Sequence, residues 1–132
     1  MRGWTETVNH IEDRFAAGHD GQVFQAIAMD NRLVFYDAEF YGLRETAPFY
    51  MWMLQKGALH HAEMTYPLSS KQGAPILLVN YYHNYQTFFE KDFARLDPLE
   101  DIVIDLGGGK TRHLKTWAGY DYTPTDDPNR KP

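Results

Sequence analysis

Three consecutive glycines, Gly107-Gly108-Gly109, followed by Lys110 and Thr111, divide the last third of the chain into two alternating stretches. Before them, the segment around Leu99–Leu106 puts Glu100, Ile102, Ile104 and Leu106 on one side. After them, TRHLKTWAGY alternates in the same way. Glycine accepts the positive φ that tight hairpin turns demand, so the pattern predicts two antiparallel strands joined by a glycine turn. A phosphate-binding loop does not fit: that pattern needs a glycine where Ile104 stands, and a helix after Gly-Lys-Thr. Any fold for this chain has to accommodate this hairpin.

The other end has a different period. Trp4, Val8, Ile11 and Phe15 recur at helical spacing around a Thr-x-x capping pattern that begins at Thr5, which predicts an amphipathic helix over 4–17. Gly18–Gly21 interrupts it. A short second helix is expected over 22–29, burying Val23, Phe24 and Ile27. LVFYDAEF (33–40) alternates as a strand, with Leu33, Phe35, Asp37 and Glu39 on one face. ETAPFYMWMLQKG, stopped by Gly57, reads as a third helix with Pro48 in its first turn. HHAEMTYPL (60–68) and ILLVNYYHNYQTFF (76–89) read as strands separated by SSKQGAP, with a turn at 90–92. On the longer strand, Leu77, Val79, Tyr81, His83 and Tyr85 share the expected concave face. Tyr82, Asn84 and Gln86 then face outward, toward solvent or a second copy.

This order, helices first and hairpin-joined strands after, indicates an α+β domain. One domain over 1–120 with a polar tail over 121–132 is expected, the tail trailing over the surface. At 132 residues the chain is long enough for one core without covalent staples. It has no Cys, which rules out disulfides, thiolate nucleophiles and Cys-ligated metals. The net charge of −5, with Lys and Arg scattered, offers no basic stripe for nucleic acid. The N-terminal residues lack a signal-peptide core and no apolar run reaches membrane-spanning length, so a cytoplasmic protein is expected.

Aromatics at 15%, including 9 Tyr, suit either a packed core or a ligand pocket. Among polar groups, Asp37 on an apolar strand face is either a desolvated base or a solvated strand end. Glu100 beside Ile102 and Ile104 is either a protonated carboxyl able to support an oxyanion or an exposed strand start near Pro98. Tyr81, His83 and Tyr85 can orient a substrate or simply fill the core. His60 and His61 point to opposite faces of an expected strand, so His60 or His61 with His83 and Asp37 or Glu39 makes a poor metal set, and no metal is expected. Ser69-Ser70 carries no nucleophile-elbow pattern.

HIEDRFAAGHDGQVFQAI, NRLVFYD, GLRETAPFYMWM and the closing PLEDIVIDLGGGKTRHLKTWAGYD together resemble the SnoaL-like and ketosteroid-isomerase-like members of the nuclear transport factor 2-like superfamily. The resemblance implies a cystatin-like cone: a curved antiparallel sheet wrapped by three N-terminal helices around an apolar pocket. It places Asp37 at the general-base position and Glu100 at the oxyanion carboxyl, with Ile11 where those enzymes carry a tyrosine and Thr116 where the cyclases carry an aspartate. It implies a cofactor-independent isomerase, dehydratase or cyclase acting on a small apolar ring-containing metabolite in an enclosed pocket. Asp37, His83 and Glu100 would be catalytic, and Phe35, Tyr50, Tyr81, Tyr85, Thr116 and Trp117 would bind substrate. The implied partners are a small hydrophobic molecule and a second copy of the chain, with no cofactor. The alternative is a non-catalytic ligand-binding or scaffold protein of the same fold.

Overall fold

A computed structural model describes residues 3–58 and 60–132. The chain is α+β, with a curved, unclosed, mixed sheet of six strands and helices packed on it. The first helix forms over the expected residues: α1 (Trp4–Ala17) buries Trp4, Thr7, Val8 and Ile11, one stripe of its surface, but its N-cap is Gly3, and Thr5, the expected cap, lies inside the helix.

From there to residue 75 the expected elements change type. The segment read as a second helix ends in a strand, β1 (Ala26–Met29), while Val23 is exposed. The segment read as a strand is a helix, α2 (Arg32–Phe40). Its N-cap decides the matter: the Asn31 side chain accepts from the backbone N–H of Leu33 and Val34 at 2.9 and 3.0 Å, satisfying two donors of the first turn. Val34, Phe35 and Ala38 are buried at helical spacing, while Leu33, Tyr36 and Phe40 stay exposed. Apolar residues on both faces of α2 produced the apparent alternation. The expected third helix is replaced by a 3₁₀ turn at Leu43–Glu45 and β2 (Phe49–Met51). The expected strand 60–68 contains the short helix α3 (His61–Thr65).

The long aromatic strand is only half a strand. After β3 (Ile76–Asn80) the chain makes a 3₁₀ turn at His83–Tyr85 and enters α4 (Gln86–Asp92), which runs straight into β4 (Phe93–Pro98). Tyr82, Asn84 and Gln86 therefore do not form an outer strand face. The C-terminal hairpin is as expected: β5 (Ile102–Gly107) pairs antiparallel with β6 (Lys110–Tyr122), and Gly107–Gly109 all have φ between 60° and 83°.

The strand order is β2-β1-β3-β6-β4, with β5 on β6. β1 lies between parallel neighbours β2 and β3, whereas β6 pairs antiparallel with β3, β4 and β5. The sheet, expected to be antiparallel, is thus mixed, because β1 and β2 are joined through a helix and not a hairpin. Every residue of β1 and β3 is buried. Ile27, Met29, Leu77 and Val79 pack under α1 and α2, and Ala26, Ala28, Ile76 and Leu78 pack with Phe89 of α4 on the other side. Helices therefore cover both faces, and not one concave side. Gly119 permits the closest approach in the second layer: a Cβ there would stand 2.6 Å from the Phe93 ring. The tail does not simply trail over the surface. Arg130 is anchored beneath Trp52, with side-chain exposure of 10%. No helix among the described residues is long and apolar enough to cross a membrane.

Candidate functional site

β1, β2 and β3 run in the same direction, so their C-terminal ends lie at one edge of the sheet. Backbone partners run out at such an edge, and the residues that follow each strand converge there. Asp30 follows β1, Trp52 follows β2, and Tyr82 and Tyr85 follow β3. These four side chains, joined by Leu54, His60, Glu63 and Arg32, line an open cleft of about 310 Å³.

Asp30 lines this cleft and is 8% exposed. Its Oδ1 accepts from the Tyr81 N–H at 2.7 Å, and its Oδ2 accepts from the Tyr82 N–H at 3.0 Å and the Asn80 amide at 2.7 Å. Asn80, fully buried at the end of β3, is oriented in turn by the indole N–H of Trp117 on β6, which donates to its Oδ1 at 3.4 Å. Burial pushes the Asp30 carboxyl up to about 6, and the three donors offset only part of that desolvation. A carboxyl with this value exchanges protons readily near neutral pH.

Glu63 of α3 is a second buried carboxylate at the cleft, 3.6 Å from Nε2 of His60. The other ring nitrogen of His60, Nδ1, is buried without a hydrogen-bond partner. Tyr85 stacks obliquely between Trp52 (5.5 Å between centroids) and Tyr82 (4.9 Å). Its phenol is pushed above the ordinary tyrosine value by burial, then by Tyr82, Asp30 and Glu63. It therefore stays protonated, a hydrogen-bond donor.

The residues singled out from sequence do not converge on one site. Asp37 lies half-buried on α2 and not on a strand. With Leu33, Tyr81, Trp4 and Arg112 it lines a neighbouring cleft of about 270 Å³. Burial lowers the Arg112 guanidinium from its ordinary value while the Asp37 charge opposes the change. Phe35 faces the core from the opposite side of α2, against Phe49 and Tyr66. His83 is exposed, edge-on to His113 at 4.7 Å. Glu100 is exposed, and its carbonyl accepts from Thr116 Oγ1 at 2.8 Å. Thr116 is buried and also accepts from Arg14. Tyr50 and Trp117 pack with the second core layer. Of the expected residues only Tyr85 lines the Asp30 cleft, with Trp117 reaching it through Asn80. Sequence reasoning did not single out Asp30, which falls between the helix expected over 22–29 and the strand expected over 33–40. The available signal was an Asp-Asn pair directly after a short, wholly apolar strand.

Elsewhere, His19, Asp20 and Asp97 come close enough to hold a metal ion. Arg95 already donates to both carboxylates, so a cation would have to displace a guanidinium. His60, His61 and His83 are not gathered. No protein-family model, curated protein or solved structure matches the chain significantly.

Proposed function

We propose that this protein is an enzyme of small-molecule acid/base chemistry, in the isomerase, dehydratase or cyclase class, working in the Asp30 cleft. The observation that carries the reading is the buried Asp30 carboxyl, at about 6, facing a cleft at the C-terminal edge of three parallel strands. In the reaction, the Asp30 carboxylate takes a proton from a carbon next to a carbonyl. The C–H electron pair moves into the carbonyl to give an enolate, the Tyr85 hydroxyl donates to the enolate oxygen, and Asp30 returns the proton to complete an isomerisation. For the fold we propose a nuclear-transport-factor-2-like cone. The curved sheet and the closing β5–β6 hairpin against α1 support it, while the parallel pairs of β1 are a departure. The competing reading, a ligand-binding protein without catalysis, is favoured by the three hydrogen bonds that tie Asp30 to Asn80–Tyr82.

Proton exchange distinguishes the two. In D₂O, the protein should speed loss of α-protons from members of a panel of ketones and cyclic enones, followed by NMR. Asp30→Asn should abolish the acceleration. No acceleration by the wild type across the panel, or equal acceleration by Asp30→Asn, would overturn the catalytic reading.

A further inference from the structure

The lining of the Asp30 cleft has a consistent character. The lining includes a run of three rings, Trp52, Tyr85 and Tyr82, each within 5.5 Å of the next. It also carries two carboxyl side chains with little exposure, Asp30 and Glu63, at 8% and 5%. Ring faces are negative and attract cations, and desolvated carboxylates do so strongly. The Tyr85 phenol reports this field, since Tyr82, Asp30 and Glu63 all oppose its ionisation. The unpartnered Nδ1 of His60 is a further polar group without a protein partner at the cleft wall. Of the basic side chains there, His60 stands 3.6 Å from Glu63, and Arg32 is exposed at the start of α2, where water screens it.

We propose that this cleft takes an organic cation, an amine or quaternary ammonium group on a compact apolar body. The inference rests on the reading of the Asp30 cleft as the functional site and names its ligand class. The ammonium sits between the ring faces and the Glu63 carboxylate. The apolar body follows the Trp52–Leu54 wall. A cleft of about 310 Å³ suits a ligand of one ring and a short arm.

Three probes sharing one ring test the proposal by calorimetry near neutral pH: benzyltrimethylammonium, benzyl alcohol and benzoate. The cation should bind at least about tenfold more tightly than either of the others. Glu63→Gln should weaken the cation about tenfold and leave benzyl alcohol unchanged. Tyr82→Leu should weaken the cation about fivefold. Tyr82 is 40% exposed and its backbone N–H still reaches Asp30, so this variant folds even if the Glu63 variant does not. Benzoate or benzyl alcohol binding as well as the cation, or a cation affinity unmoved by Tyr82→Leu, overturns the proposal. Asp30-dependent proton exchange without cation preference would remove this inference and leave the catalytic reading standing. Cation preference without exchange would do the reverse.

Discussion

Replacing Arg130 with alanine should destabilise this protein far more than its place two residues from the last position suggests. The Arg130 guanidinium makes a two-pronged pair with Asp92, at 2.8 and 2.9 Å, and also donates to the carbonyls of Leu54 and Met53 at 2.6 and 3.2 Å. It lies over the rings of Trp52 and Phe88, with centroids 5.2 and 5.0 Å away. Asp92 is 4% exposed, so deleting Arg130 strands a buried carboxylate whose remaining side-chain hydrogen bond is from the Trp52 indole at 2.9 Å. Breaking one side of such a pair costs about 3–5 kcal/mol, most of it the penalty of the orphaned charge. For a chain of this size that lowers Tm by about 10–20 °C. Urea unfolding followed by circular dichroism measures the loss. Asp92→Asn with Arg130→Ala should lose much less than the sum of the two single losses, since the orphaned charge is then gone. A loss below about 1 kcal/mol for Arg130→Ala, or strict additivity in the cycle, would refute the anchored-tail reasoning.

Other consequences follow from the same structure. Because the folded-state value of Asp30 is raised from 3.8 to about 6, folding favours its protonated form. Its contribution is therefore fully present below about pH 4 and lost as pH rises to about 6, about 3 kcal/mol in all. The stability difference between wild type and Asp30→Asn, measured against pH, should change across that window; a flat difference would remove the shift. Asn80→Leu takes away the amide that Asp30 and Trp117 share, and should cost about 1–3 kcal/mol in denaturant unfolding. A neutral outcome would mean that water replaces it without loss. Gly119→Ala drives a methyl to 2.6 Å from the Phe93 ring and should cost about 1–3 kcal/mol, whereas Gly108→Ala meets open space and is burdened only by its φ of +60°. Equal losses at the two glycines would contradict the close β4–β6 packing.

Two elements were legible from sequence because local interactions alone specify them. α1 has a single apolar stripe, and the β5–β6 hairpin has alternation on both sides of three glycines, so period and turn chemistry agree. The middle of the chain had no such agreement. β1 and β3 are covered on both faces, which erases alternation, and α2 carries exposed Leu33, Tyr36 and Phe40 opposite its buried stripe, which imitates it. The long aromatic run 76–89 concealed the change from strand to helix for the same reason. Those elements took their type from tertiary burial. The candidate site followed the same division. Sequence made visible the supply of carboxylates and rings, and Tyr85 among them, but it assigned the acid to Asp37 by a strand parity that α2 does not have. Parallel pairing of β1 with β2 and β3 brings Asp30, Trp52 and Tyr85 together across 55 positions of chain, and the closing β6 strand supplies Trp117 to fix Asn80. Periodicity reports which face of an element is buried, not which strand ends meet. Here the meeting of strand ends raises the carboxyl of Asp30 and shapes the cleft, and only the folded sheet decides it.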